Sequence, residues 1–210
     1  MIKFPMQGYI INLNRVKDED LIVTILTQNS IKTVYRFYGA RHSTIHLGYK
    51  IDFEAIPSLK SSLSQLRSIM HLGTPWNNQR ERMLIWQPFI RLCYMHLKDI
   101  ATIDPFYFEL LEECSAIWHK QNPKRIAIEA YIKLLAYEGR LHDDFICFNC
   151  EEEIVEDLTL IRAFLPAHKT CAWNQTFELA HIQHLFEEQS TIALDDEQID
   201  VLWKILLEGF

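Results

Sequence analysis

Asp18-Glu19-Asp20-Leu21-Ile22-Val23-Thr24-Ile25-Leu26-Thr27, followed by Lys32-Thr33-Val34-Tyr35-Arg36-Phe37-Tyr38, is the stretch whose reading decides the fold. Both runs are dense in β-branched and aromatic residues, which suit a pleated, half-buried surface, and a short polar break separates them. The same texture recurs outward at Gly8–Leu13, Gly48–Ile56 and Leu63–Ile69, so five short strands are expected between Gln7 and about Met70. No helix-length amphipathic run lies among them to cover an open sheet. A small closed or partly open barrel of OB type is therefore the natural architecture for residues 1–72.

After Gly73 the period changes from two to that of a helix. Asp104-Pro105 and Asn122-Pro123 each place a proline in a first helical turn, where its missing N–H costs nothing. The first opens a run to about Gln121 that carries Phe108, Leu111, Glu112, Ser115 and Trp118 on successive turns. The second carries Ile128, Ile132 and Leu135 as an apolar stripe and stops at Gly139. An earlier helix, from about Asn77 to Lys98, contains Pro88, which is expected to kink or divide it. A last helix starts near Asp195. Between these lies an irregular insert, residues 142–173, with neither a helical period nor the length for its own core. The fold class is thus α+β, a small barrel at 1–72 followed by a helical body at 73–210 with the insert inside it.

The formal net charge of -7 argues against a polyanionic partner only if the charge is evenly spread, and it is not. Residues 1–72 hold nine Lys or Arg against five Asp or Glu, whereas residues 73–210 hold twelve against twenty-three. The basic part is the barrel. Five cysteines, an odd number, fit a reducing compartment better than a disulfide framework, and Cys93 and Cys114 read as small buried apolar groups. No apolar run approaches the ~20 residues that span a bilayer, and Met1-Ile2-Lys3-Phe4-Pro5 lacks the design of a signal peptide, so a cytoplasmic location is expected.

Alternation along the second quoted strand puts Lys32, Val34, Arg36 and Tyr38 on one face and Thr33, Tyr35 and Phe37 on the other. The second face reads as core. The first mixes cations with a ring, the combination a single nucleic-acid strand requires: charge for phosphates and a flat surface for bases. An ordinary solvated strand face carries the same pattern. What separates the two is a resemblance. The acidic-led strand Asp18–Thr27 ending in Leu-Thr, with Gly39-Ala40-Arg41 following the next strand, is similar to the pattern of the RecO family of recombination mediators. One departure is Ile31, where the family usually has a turn glycine.

The resemblance implies a non-catalytic protein that binds single- and double-stranded DNA, anneals complementary strands, and helps a recombinase displace the single-stranded-DNA-binding protein in gap and break repair. It implies contacts with that protein's tail and with the companion mediator RecR, in the cytoplasm and associated with the nucleoid. By the same resemblance Lys32, Arg36 and Arg41 are the leading phosphate contacts, Arg15, Lys17 and Lys50 a second rank, and Tyr38 the stacking residue.

Cys147-Phe148-Asn149-Cys150 and His168-Lys169-Thr170-Cys171 form two pairs, each able to grip one side of a tetrahedral ion, at a separation typical of zinc ribbons. A structural zinc on Cys147, Cys150, His168 and Cys171 is expected. RecO-like proteins often carry a four-cysteine zinc element at this place, so His168 stands where a cysteine is more usual. A competing set takes its second pair from His181-Ile182-Gln183-His184, and three unmetallated thiols are a further alternative. The acidic groups Glu151-Glu152-Glu153, Glu156-Asp157 and Asp195-Asp196-Glu197 read as a solvated loop and a helix start. No phosphate-cradling glycine loop, G-x-S-x-G elbow, H-E-x-x-H helix or deaminase motif is present, so an enzyme is not expected. The other candidate class is a protein-interaction adaptor with a helical groove and a barrel that is only structural; Phe89, Tyr94, Phe106, Trp118 and Trp203 could line such a groove, but aromatic residues at helical spacing are more often core, and no partner-binding residue is assigned.

Overall fold

The computed structural model describes residues 6–41, 43–59, 61–100 and 102–209. The opening Met1–Pro5, on which the signal-peptide reading rests, lies outside the described residues. The chain forms two compact units, Met1–His119 and Lys120–Phe210.

In the first unit, β1 (Met6–Arg15), β2 (Leu21–Thr27), β3 (Ser30–Arg36), β4 (Lys50–Ile56) and β5 (Ser64–His71) form a closed barrel in the order β1-β2-β3-β5-β4. β1 is long enough to pair antiparallel with β2 along Gly8–Arg15 and with β4 along Met6–Tyr9. A register shift between Ile10 and Asn12 bends it from one partner toward the other. β3 pairs with β5 in parallel, and this closes the OB-type barrel. Ile10, Val23, Ile25, Val34, Ile51, Phe53 and Leu66 fill the interior, with Ile45 from the β3–β4 connection. The glycine missing at Ile31 is not needed: Ile31 pairs with Leu26 inside β3, and Gln28-Asn29 make the turn.

The sequence reading of β3's two faces is reversed. Val34 is 1% exposed and lies in the core, while Thr33 is exposed and Phe37 is 48% exposed. This interior is mostly aliphatic, with Phe53 from β4, and Tyr35 carries a hydroxyl that needs a partner; it lies outside and finds one in Asp20. Lys32 and Arg36 share the inward parity of Val34 but sit toward the strand's two ends, where a long stem can lie along apolar surface with its charged head outside.

Helices α1 (Arg80–Leu97) and α2 (Pro105–Ile117) belong to the same unit as the barrel. α1 runs undivided through Pro88, which removes one backbone bond, while Trp86, Phe89, Ile90, Cys93 and Leu97 bury the helix's apolar side. Trp76, Trp86 and Trp118 pack together, with Trp86 and Trp118 edge to face at 4.8 Å. Each indole N–H finds a carbonyl: Trp76 Nε1 donates to Ser115 O (2.9 Å), Trp86 Nε1 to Gly48 O (2.8 Å) and Trp118 Nε1 to Arg82 O (3.3 Å). The Trp86 bond ties α1 to the connection between β3 and β4.

In the second unit, α3 (Pro123–Tyr137) is capped by Asn122 and ends as expected at Gly139 (φ 66°). There Gly139 N–H donates to Ala136 O and Arg140 N–H to Leu135 O, a full Schellman arrangement. The insert is not irregular throughout: it contains β6 (Leu158–Ile161) and β7 (Leu165–His168), which form a small antiparallel sheet with β8 (Thr176–Phe177) just beyond it. These strands are too short to show an alternating pattern in sequence. α4 (Leu179–Glu188) and α5 (Asp196–Leu207) follow, the latter opened by a capping box between Asp195 and Gln198. No helix among the described residues is long and apolar enough to cross a membrane.

Gly48 has φ 83°, and a Cβ there would lie 2.5 Å from the Trp86 ring. Gly48→Ala is therefore expected to destabilise the protein by about 3 kcal/mol through backbone strain and overpacking, read as a lowered denaturant midpoint.

Candidate nucleic-acid interface and metal centre

The β3 end of the barrel is built around Asp20, the last residue before β2. Its Oδ2 accepts from Tyr35 Oη at 2.5 Å and its Oδ1 from Tyr38 N–H at 2.6 Å. These two bonds, the Tyr35 hydroxyl first, hold the Asp20 carboxyl below its ordinary range, and the same contact raises Tyr35. The clamp fixes Tyr38 in a left-handed conformation (φ 51°), which turns the chain out of β3 and leaves the Tyr38 side chain 59% exposed. Gly39-Ala40-Arg41 then forms a single 3-10 turn, with Ala40 N–H donating to Glu19 O at 2.9 Å. A Cβ on Gly39 would come within 2.9 Å of the Leu21 side chain, so the Gly-Ala-Arg element packs against β2 only as glycine.

Arg41 is exposed, lies over the Tyr38 ring at 5.3 Å and pairs with Glu19. Arg36 Nη1 donates to Leu66 O at 3.1 Å. A cleft of about 400 Å³ brings Arg36 together with Tyr35, Phe37 and Tyr38 from the β3 side and Gln65, Leu66 and Arg67 from β5. Lys32 does not join them. It sits about 13 Å away along the strand, in a second hollow with Gln7, Gln28, Asn29, Ser30 and Phe108. Arg15 and Lys17 are exposed beside the β1–β2 turn. Lys50 is engaged: its Nζ donates to Glu112 Oε2 at 2.7 Å, its side chain is 17% exposed, and Tyr9 Oη donates to the other oxygen of Glu112 at 2.6 Å. Burial first, then that bond, push the Tyr9 hydroxyl far above its ordinary value.

Sequence reasoning missed Arg67. Alternation along β5, with Leu66 inward, gives Arg67 an outward side chain, but only the parallel closure of β5 on β3 brings it beside Arg36. Among the proposed groove aromatics, Phe89 and Trp118 are buried in the first unit and Trp203 in the second.

In the second unit the donor atoms of Cys147, Cys150, His168 and Cys171 all lie within 4.8 Å of one another. A tetrahedral zinc–thiolate site places its sulfurs about 3.8 Å apart, so a small contraction completes the shell. Cys147 and Cys150 come from a tight turn in which Cys147 N–H donates to Glu152 O and Glu151, at φ 62°, donates to Cys147 O. His168 ends β7, and Cys171 follows in a turn whose N–H donates to His168 O. Asn149 Nδ2 donates to Cys171 O at 2.6 Å and joins the two turns. The imidazole is aimed: Nδ1 lies 3.3 Å from Cys150 Sγ, and Nε2 lies 3.3 Å from Glu153 O, a partner that orients a metal-binding ring. Burial pushes the Cys147 thiol up, but N–H groups of His168, Cys150 and Asn149 outweigh it and bring it down to about 6. That is the chemistry of a thiolate ligand. His181 and His184 lie in α4 and are not part of this group, so the competing ligand set is not the one the fold assembles.

A closed OB-type barrel with a basic and aromatic end, followed among the described residues by five α-helices with a three-cysteine, one-histidine element compatible with zinc between α3 and α4, defines the class. Residues 6–77 match the family described as RecO N terminal, which supports a RecO family protein and, in general, a role in DNA repair. No curated protein matches the chain.

Two outcomes are expected. Zinc analysis of freshly purified protein should find about one equivalent, retained in His168→Cys and lost in Cys150→Ser. In the barrel, Tyr35→Phe should let the Asp20 carboxyl titrate closer to its ordinary value of ~3.9, as followed by NMR. The depressed folded value makes the Asp20 clamp stabilising above the unfolded carboxyl range, with that contribution lost as pH falls through the folded value.

Proposed function

We propose that this protein binds single- and double-stranded DNA on its barrel, anneals complementary strands, and helps load a recombinase onto strands coated by single-stranded-DNA-binding protein. The observation that carries the reading is the Asp20-clamped turn, which presents Tyr38, with Arg41 over its ring, at the cleft that holds Arg36, within the segment that matches the RecO N-terminal family. Residues 1–72 are the DNA-binding domain, and 73–210 form the body. Arg36 and Arg41 contact phosphates and Tyr38 stacks on a base. Lys32 extends the track from the far end of β3, and Arg15 and Lys17 add charge at the β1–β2 turn. Lys50 ranks last, because Glu112 already holds its ammonium.

None of this requires a bond to be made or broken. Protein partners are the single-stranded-DNA-binding protein and RecR, with the recombinase engaged indirectly, in the cytoplasm near the nucleoid. Zinc on Cys147, Cys150, His168 and Cys171 is structural, since four protein ligands leave no open position for an activated water.

The test is strand annealing and oligonucleotide binding across a salt titration, with the Lys32, Arg36 and Arg41 triple alanine variant alongside. Wild type is expected to lose affinity steeply with salt, and the variant to stay folded, bind at least tenfold more weakly at low salt and anneal poorly. Unchanged affinity in the variant removes the residue assignment. Weak binding by wild type at every salt concentration favours the adaptor whose barrel is only structural.

A further inference from the structure

The parallel pairing of β3 with β5 comprises only Val34 with Ser64 and Tyr35 with Gln65. Beyond it, β3 ends at Arg36 and turns away at Tyr38, while β5 continues to His71. The cleft of about 400 Å³ opens where the strands part, a volume within the range of small-ligand sites. Two guanidinium groups line it, each positioned by a neutral acceptor: Arg36 Nη1 on Leu66 O at 3.1 Å and Arg67 Nη2 on Gln65 Oε1 at 2.8 Å. Burial, and then the positive charge of Arg67, depress Arg36, so the two cations stand close enough to feel each other. Glu54, which faces Arg67 across the β4–β5 ladder, accepts from Ser68 Oγ at 3.0 Å. Like charges set side by side favour an anion between them.

The rim supplies the other half of a nucleotide's chemistry. Phe37 is braced edge-on against Tyr35 at 4.9 Å, and Tyr38 carries Arg41 over its ring while remaining largely exposed. An exposed ring beside an anion site suits a base joined to its phosphate. Bases inside a duplex are stacked and cannot lie flat on Tyr38, although duplex phosphates can reach arginines.

We propose that the β3–β5 cleft seats one nucleotide of an unpaired strand, with Arg36 and Arg67 on its phosphate and Tyr38 against its base. The inference rests on the reading of the barrel as a DNA-binding module, and adds to it a residue, Arg67, and a preference for single strands.

The experiment uses the full chain, a fluorescent oligo-dT and a duplex of equal length, with anisotropy measured across a salt titration. Arg67→Ala is expected to weaken oligo-dT binding about tenfold and to reduce the salt slope by about 0.7, with a smaller effect on duplex. Arg67→Gln, which keeps the stem and a polar head, should show the same loss, and circular dichroism melting should match wild type for both. An oligonucleotide containing 2-aminopurine should be quenched by wild type and much less by Tyr38→Ala. Unchanged oligo-dT affinity in both Arg67 variants, with loss in the Lys32, Arg36 and Arg41 variant, overturns the cleft and leaves the DNA-binding reading standing. Equal losses on duplex and single strand, or quenching that survives Tyr38→Ala, overturn the unpaired-strand assignment. Absence of DNA binding by wild type overturns both.

Discussion

The two-residue parallel contact between β3 and β5 is the constraint on which the first unit depends. Without it the strands form an antiparallel sheet with two open edges, which is prone to pairing with other chains. With it the edges vanish and the interior becomes a sealed apolar volume. So short a pairing is weak by itself, and parallel pairing is somewhat weaker per residue than antiparallel. Burial must hold it. Val34 and Leu66, one from each of the two strands, are both 1% exposed in the core, and Ile45 joins them from the connection that runs between β3 and β4. That connection continues to Gly48, whose carbonyl takes the Trp86 N–H, so closure of the barrel and seating of α1 share one segment. The brevity of the pairing also has a positive result: because the strands part after Tyr35 and Gln65, an opening is left with an arginine on each lip.

An acidic triplet, Asp18-Glu19-Asp20, leads into the barrel end that carries Arg36, Arg41 and Arg67, which is unexpected for a surface proposed to attract phosphates. The acids act on the backbone. Asp18 takes a left-handed turn at φ 55°, Glu19 holds Ala40 through its carbonyl and Arg41 through its carboxylate, and Asp20 clamps Tyr35 and Tyr38. They convert a loose loop into a fixed presentation of Tyr38 and Arg41, and lower the local positive potential in doing so. For ligand binding, fewer conformations to freeze compensate for some lost attraction.

Much of the fold was legible because its signals are local. Leu21–Thr27 is a strand over the whole range its β-branched run suggests, and Asp104, Asn122, Asp195 and Gly139 mark helix ends by capping chemistry that depends on a few neighbouring residues. The two-residue spacings at Cys147/Cys150 and His168/Cys171 are local as well. What stayed hidden depends on distant contacts. The orientation of β3 is not local: its aromatic residues suggest an inner face, but the barrel's interior is mostly aliphatic, with Phe53 from β4, and the Tyr35 hydroxyl finds its acceptor outside. Arg67 has meaning only after β5 closes on β3. The spacing already favours His168 over His181 and His184, and the β6–β7 hairpin, which sets Leu158 against His168, carries the end of β7 to the cysteine turn.

That hairpin also shows why a metal ion suits the second unit. Its sheet has strands of four, four and two residues, far below what stands alone in water. Leu158, Leu160, Ala167 and Phe177 are buried, yet they form a small core. The Cys147–Cys150 turn is tied to the rest by single bonds, Phe148 N–H to Pro166 O and Asn149 to Cys171 O. A tetrahedral ion crosslinks both turns at once and repays the cost of gathering three thiols and an imidazole, which otherwise repel as the thiols ionise. The depressed Cys147 thiol and the aimed His168 ring are what such an ion selects: a thiolate made ready by backbone N–H groups, and a nitrogen already turned toward the centre.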